Sequence, residues 1–350
     1  MPRATGRSLR RLLGAVAIGG AGATPLAAQY PLSPTPVLPL SVISRTPTFS
    51  GYVSARETLR GDSATFTINR ARITLQVLPV RFAALRLQVD FSAIGRTNGD
   101  TVPATLLTDA YVELVLPDTS SPGVRFFHPA LVVGQFRTPF SLEYLTPFSV
   151  LATANRSQPV DRLSTRRDLG ALAQVRFAGV ATLTGAVVNG EGPNRISNPD
   201  GKQMAVGRLT FSPAPSLALS AKWLGQGDDH RWGYDGRWLA NGLILEGEVI
   251  ERGGPAGAGG TSGRLDANGG YVLAAYKLRP WLQPVLKWER LRESTSVATV
   301  ATERRLTTTT YGINVVAPNE HLRFQLDWLV NSAHPTRARD ELVAQLQAIF

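Results

Sequence analysis

Arginines are the residues of this chain whose number and spacing indicate a chemical role. A guanidinium group stays charged at any working pH and presents a planar fork of donors that fits oxyanions. One group lies in and beside a long polar stretch: Arg137, Arg156, Arg162, Arg166 and Arg167. A second group occupies the polar positions of alternating segments: Arg70, Arg72, Arg86, Arg176 and Arg208. Together they predict the lining of a passage for small anions, although a loop arginine is more often solvated, paired with an acid or bound to lipopolysaccharide.

Other chemistries find little support in the sequence. Cysteine is absent, which excludes disulfides, thiolate metal sites and cysteine nucleophiles. The histidines are scattered without metal-ligand spacing, at His128, His230, His321 and His334. The arginines follow strand parity instead of forming one patch, which argues against nucleic-acid binding. We therefore predict no metal, no cofactor and no nucleic-acid partner, and the chain shows no evident serine–histidine pairing of a lipase.

The elements that must position these arginines have a period of two. In Leu322–Trp328 and in Arg70–Val77, apolar and polar residues alternate strictly, as on a strand with one apolar and one polar face. The polar rows carry charges of both signs. Sixteen such segments begin near residues 48, 65, 82, 105, 128, 168, 179, 203, 216, 230, 241, 269, 282, 306, 320 and 341. An even number is typical of bacterial outer-membrane barrels.

The connections between these segments alternate in length. Tight turns are predicted at Pro79-Val80, Ala178-Gly179, Pro213–Pro215, Ala240-Asn241 and Pro318-Asn319. Between them lie long polar stretches at 95–104, 139–167, 190–202, 253–268 and 294–305. Membrane barrels have short turns at one end and longer loops at the other, whereas a soluble β-sandwich has no reason to sort its connections in this way. The pattern favours an all-β, transmembrane, antiparallel β-barrel over a sandwich.

The two ends of the chain point to export. Arginines precede an apolar run that ends in Leu26-Ala27-Ala28, which predicts a signal peptide at 1–28. Its removal takes away four arginines and no acid, so the formal charge falls from +11 to +7. The proline-rich stretch 29–47 is predicted to be a tether, and 48–350 the barrel. Phe350, an aromatic residue at the end of the last strand, resembles the signal read by the barrel assembly machinery.

Four motifs in order resemble the phosphate-selective porin O and P family: Asp109–Glu113, Gly134–Phe140, Arg167–Gly170 and Asn189–Gly192. The resemblance runs from about residue 50 to the C-terminus. It implies a sixteen-stranded barrel, a homotrimer and an inward-folded loop after strand 5, where 139–167 lies. It also implies phosphate or polyphosphate as candidate solutes.

We therefore expect an outer-membrane porin of a double-membraned bacterium, not an enzyme, that passes small inorganic anions through an arginine-lined constriction. Its expected partners are membrane lipid, lipopolysaccharide, the assembly machinery and further copies of itself. Three alternatives stay open: a non-selective general porin, a lipase-like barrel enzyme of the outer membrane, and a secreted soluble β protein.

Overall fold

The structure, a computed structural model, describes residues 30–38, 43–93, 107–115, 127–256, 263–297 and 300–350. Within them, sixteen antiparallel strands form one closed barrel, which confirms the predicted fold. The strands are β1 (Thr48–Arg60), β2 (Ser63–Val80), β3 (Ala83–Asp90), β4 (Leu107–Val115), β5 (Phe127–Arg137), β6 (Arg167–Phe177), β7 (Ala181–Val188), β8 (Met204–Ala214), β9 (Leu217–Gln226), β10 (Asp229–Ala240), β11 (Leu243–Pro255), β12 (Gly263–Tyr276), β13 (Leu282–Val297), β14 (Val300–Val316), β15 (Leu322–His334) and β16 (Glu341–Ile349).

Closure comes from pairing between the first and the last strand. Each strand is hydrogen-bonded to its neighbours in the chain, and β1 pairs with β16 from Tyr52 and Ile349 to Arg60 and Glu341. The backbone of Gly51 also exchanges two hydrogen bonds with that of Phe350. A closed sheet leaves no row of unpaired backbone groups, which hydrocarbon does not tolerate. No helix among the described residues is long and apolar enough to cross a membrane.

The barrel is polar inside and apolar outside. On β15, Gln325 and Asp327 are 2% and 1% exposed, whereas Trp328 is 51% exposed. The same inversion holds on β11, where Glu248 is buried and Val249 is exposed. A soluble protein would bury the apolar row and expose the charged one. The exposed apolar belt therefore fits contact with lipid hydrocarbon, and the charged row faces the barrel interior.

The two ends of the barrel differ. We call the end at which β1 begins and β16 ends the turn end, and the opposite one the loop end. At the turn end, Asn241 and Gly242 link β10 to β11 with φ of 50° and 80°. Both residues thus have the left-handed backbone of a tight type I′ hairpin, which Asn-Gly favours. At the loop end, 138–166 connects β5 to β6 and 189–203 connects β7 to β8.

Most predicted strand starts agree with the structure to within two residues, but β12 and β14 begin six residues earlier than expected. The stretches 253–268 and 294–305 were expected to be loops. Instead β11 continues to Pro255 and β12 already begins at Gly263. Only residues 298–299 separate β13 from β14. Alternation predicts a strand only where one face meets lipid; beyond the membrane both faces meet water and the signal fades. The predicted turn at Pro79-Val80 also belongs to β2.

The predicted signal peptide at 1–28 and the loop at 95–104 lie outside the described residues. Of the predicted tether, residues 30–38 and 43–47 are described. Residues 30–38 run inside the barrel, where Pro34 and Pro36 are buried.

Candidate functional site

The connection 138–166, which we call the lumen loop, folds into the barrel. It contains two short helices, α1 (Leu142–Leu145) and α2 (Gln158–Leu163), with a 3₁₀ turn between them. Ser141 caps α1 by accepting a hydrogen bond from the backbone N–H of Tyr144. Pro159 lies in the first turn of α2, where its missing N–H costs nothing. Short helices broken by turns let the loop bend along the inner wall.

The first half of the lumen loop is held by charged groups on β8 to β11. Arg208 donates to the carbonyl of Phe140 at 3.1 Å, and Arg237 donates to Thr146 Oγ1 at 2.8 Å. Ser141 Oγ donates to a Glu248 carboxylate oxygen at 3.0 Å. These wall charges are themselves paired, with Arg208 Nη2 2.6 Å from Asp235. Buried charges require such partners, because an unpaired one would be expensive.

The second half reaches the walls beyond. Lys287 on β13 donates to the carbonyl of Asn155 at 3.1 Å, and Asn314 on β14 donates to that of Ala152 at 2.8 Å. On β15, Asp327 accepts from the backbone N–H of Ala154 at 2.7 Å. On β16, Gln347 donates to the carbonyl of Ser149 at 2.9 Å. The lumen loop therefore lines the wall from β8 round to β16, and the inner face of β2 to β6 lies opposite.

That opposite face carries what we call the arginine cluster. It consists of Arg70 and Arg72 on β2, Arg86 on β3, Arg137 at the end of β5, Arg156 in the lumen loop and Arg167 at the start of β6. The positive charges of Arg86, Arg156 and Arg167 repel that of the Arg137 guanidinium. In the same way, Arg72 and Arg156 repel Arg70. The six side chains thus form one electrostatic group.

Two carboxylates hold part of the cluster. Asp109 lies between Arg167 and Arg86, with its oxygens 2.6 Å and 3.0 Å from their Nε atoms. Asp90 lies 2.8 Å from Arg72 Nε. These six arginines and two carboxylates together carry a formal charge of +4. Glu143 and Asp161 lie outside this group and also act on Arg156.

Arg137 and Arg156 carry the excess most directly. In the described part of the chain, the acceptors of Arg137 and Arg156 are backbone carbonyls: Leu145 at 2.8 Å for the first, Glu143 and Thr146 at 3.1 Å each for the second. The Arg156 guanidinium also lies over the Tyr144 ring, 4.4 Å from its centroid. A carbonyl positions a guanidinium without neutralising it. Both residues are partly buried.

Four predicted arginines lie elsewhere. Arg208 is buried beneath the lumen loop, where Asp235 neutralises it. Arg162 is exposed and pairs with Glu293 at 3.1 Å. Arg166 is exposed in the lumen loop, and Arg176 is exposed at the turn end of β6. The structure therefore brings together six of the ten predicted arginines, and these four belong to other surroundings.

An acidic residue of the lumen loop was not singled out from the sequence. Burial raises the pKa of Glu143 to about 7, although Lys287, 3.6 Å away, lowers it. One Glu143 oxygen accepts from Ser157 N and Ser157 Oγ, both at 2.8 Å. Glu143 thus ties α1 to the start of α2. No spacing in the sequence predicts this contact, because it depends on how the loop turns back.

Metal and hydrolase chemistry were sought in the same regions. Among the residues placed by the structure, no three His, Asp or Glu side chains are arranged to hold a metal ion. His321 Nδ1 lies 2.9 Å from the carbonyl oxygen of Ile349, and no hydrogen bond between serine and histidine side chains occurs in the described ranges. What the arginine cluster offers is fixed positive charge.

The fold resembles solved outer-membrane proteins. The outer-membrane channel DcaP of Acinetobacter baumannii matches with a TM-score of 0.62 at 11% identity, over 87% of this chain and 97% of that one. The anion-selective porin from Comamonas acidovorans matches with a TM-score of 0.57 at 12% identity, over 87% of this chain and 99% of that one. OmpT of Vibrio cholerae, in a trimer form, matches with a TM-score of 0.59 at 10% identity, over 87% of this chain and 99% of that one. No family model and no curated protein matches. The chain therefore has the outer-membrane porin fold.

Proposed function

We propose that the mature chain is a channel of the outer membrane of a double-membraned bacterium that passes small anions through the arginine cluster. The supporting observation is the charge excess around Arg137 and Arg156, whose acceptors in the described chain are carbonyls instead of carboxylates. The exposed apolar belt supports the membrane location. The predicted signal peptide supports export.

Passage follows from electrostatics. A narrow aqueous path walled by low-dielectric protein focuses the field of the cluster, raising the local concentration of anions and lowering that of cations. The partly exposed guanidinium groups of Arg70, Arg86, Arg137 and Arg156 can replace some of an anion's water ligands. Several weak sites in succession allow an ion to enter without being trapped. On the opposite wall, Arg208, Lys222 and Arg237 are paired with Asp235, Glu248 and Glu246. Arg323 on β15 instead donates to the carbonyls of Ser149 and Leu151 and adds positive charge on that side.

The same proposal implies an orientation of the barrel in the membrane and a set of partners. The turn end faces the periplasm and the loop end faces outside, as in barrels with short periplasmic turns. The apolar belt contacts lipid, and exposed loop-end arginines such as Arg166 contact lipopolysaccharide. Phe350 is read by the barrel assembly machinery. A homotrimer is supported by the resemblance to the porin O and P family and by the trimer form of the Vibrio protein.

Single-channel recording tests the proposal. We expect the purified protein in planar bilayers to give a reversal potential of anion preference in a KCl gradient. Replacement of chloride by phosphate then tests the solute: a reduced conductance with long blocked intervals supports phosphate or polyphosphate as the solute. A reversal potential near zero would indicate a non-selective porin. Hydrolysis of lipid without ion conduction would indicate a barrel enzyme and overturn the proposal.

A further inference from the structure

The N-terminal segment 30–38 is docked on the inner wall at one side of the barrel. Tyr30 Oη donates to a Glu246 carboxylate oxygen on β11 at 2.9 Å. Arg237 on β10 donates to the carbonyl of Pro31, and its guanidinium lies 4.3 Å from the centroid of the Tyr30 ring. Arg237 and Glu246 form an ion pair at 2.6 Å. This pair therefore holds the start of the segment by contacts with the Tyr30 hydroxyl, the Tyr30 ring and the Pro31 backbone.

The other end of the segment is docked on the opposite wall. Thr35 Oγ1 donates to Gln174 Oε1 on β6 at 2.5 Å, and Tyr111 Oη on β4 donates to the carbonyl of Pro36 at 2.9 Å. The backbone N–H of Leu38 donates to Glu113 on β4 at 2.7 Å. Strands β4 and β11 are seven places apart one way round the barrel and nine the other. The segment therefore crosses the lumen close to a diameter.

The dimensions agree with a complete crossing. Sixteen strands about 4.8 Å apart close into a ring about 24 Å across before tilt widens it. Nine residues of proline-rich chain reach at most about 28 Å at 3.1 Å per residue. Pro31, Pro34 and Pro36 also restrict the backbone, so the segment loses less conformational entropy on docking than a flexible one would. The composition suits a strut.

The segment lies on the turn side of the arginine cluster. On β4, Asp109 binds two arginines of the cluster, and Glu113, which binds the segment, lies four residues or about 13 Å nearer the turn end. On β6, Gln174, which binds the segment, likewise lies nearer the turn end than Arg167, which belongs to the cluster. An ion that leaves the cluster toward the turn end must next pass the segment.

We propose that residues 30–38 form an internal plug of the channel: a strut that divides the turn-side half of the lumen and limits conductance, without setting ion preference. This inference rests on the proposed channel function. A chain about 10 Å thick, the spacing of packed sheets, covers roughly half of a ring about 24 Å across. Removal of the plug therefore raises conductance about twofold. Ion preference stays, because the cluster keeps all six arginines.

Deletion of residues 30–38 from the mature chain tests this directly in planar bilayers, with heat-modifiable gel mobility to confirm the folded barrel. We expect about twice the single-channel conductance of the unmodified protein and the same reversal potential. If the unmodified protein conducts and the deletion leaves conductance unchanged, the plug is wrong and the channel function stands. If neither conducts, both proposals fail. A silent full-length barrel that conducts after the deletion supports a closed plug.

A cysteine substitution keeps the test decisive if the deletion does not fold. The chain has no cysteine, so Thr35→Cys presents a single thiol at an exposed position of the segment. A bulky, charged methanethiosulfonate reagent should lower the conductance of this variant. The matched control is Ser332→Cys, which is exposed on the outward parity of β15 and should not respond. An equal response of both variants, or of neither, would overturn the plug.

Discussion

Removal of the two carbonyl-held guanidinium groups should weaken anion selectivity and leave the barrel intact. The variant Arg137→Gln/Arg156→Gln lowers the charge of the cluster from +4 to +2. At about 6 Å in water, one charge changes the energy of a passing monovalent ion by about 0.7 kcal/mol. Two charges change it by about 1.4 kcal/mol, which corresponds to about a tenfold fall in local anion concentration.

Salt concentration separates this effect from a change in pore shape. The screening length is about 10 Å at 0.1 M salt and about 3 Å at 1 M. We therefore expect the reversal potential of the double variant to move toward zero in gradients near 0.1 M KCl. Near 1 M KCl, the variant and the unmodified protein should differ little, because the charges of both are screened.

The control removes the same charge elsewhere. Arg279 and Arg337 lie in exposed connections at the turn end and the loop end, so Arg279→Gln/Arg337→Gln lowers the net charge equally and should keep the selectivity. An unchanged reversal potential of the cluster variant at 0.1 M KCl would refute the reasoning. The same shift in the control would also refute it, since net charge and not the cluster would then set the preference.

Three further outcomes are expected. Because burial raises the pKa of Glu143 to about 7 from an ordinary value of 4.5, folding favours its protonated form. The barrel should lose up to about 3 kcal/mol of stability as the pH rises from 4.5 through 7; urea unfolding at pH 5 and 8 should show this loss, and an equal loss in Glu143→Gln would contradict it. Trp328→Arg, on the lipid face, should cost about 2–4 kcal/mol in unfolding from lipid vesicles, whereas Trp328→Leu should cost far less. Phe350→Ala, which keeps the two backbone hydrogen bonds to Gly51, should lower the amount of folded barrel in cells but not refolding in detergent; equal losses in both would mean that Phe350 acts on stability and not on recognition.

Residues of the site differ in how far the sequence could locate them. Arg70, Arg72 and Arg86 were accessible to prediction, because strand parity alone turns them inward. Arg208 has the same parity, yet the lumen loop covers it and Asp235 neutralises it. Parity identifies the face of the sheet that a side chain occupies. It does not tell what lies against that face, so the pairing of Arg208 could not be predicted.

Segments without periodicity were the least predictable. The stretch 30–38 has no strand or helix pattern, and its path across the lumen depends on partners more than seventy residues away, such as Glu113 and Glu246. The outer parts of β12 and β14 were missed for a related reason, since water on both faces removes the alternation.

The order of apolar and polar residues by itself determined the all-β class, the number of strands and the face of the sheet on which each charge lies, because a strand repeats every two residues. Tertiary structure alone decided which charges neutralise each other and which stay unpaired. The cluster of Arg137 and Arg156 exists only because the lumen loop turns inward and carries one of them to the other. Contacts between distant parts of the chain leave no local pattern, and the function proposed here depends on those contacts.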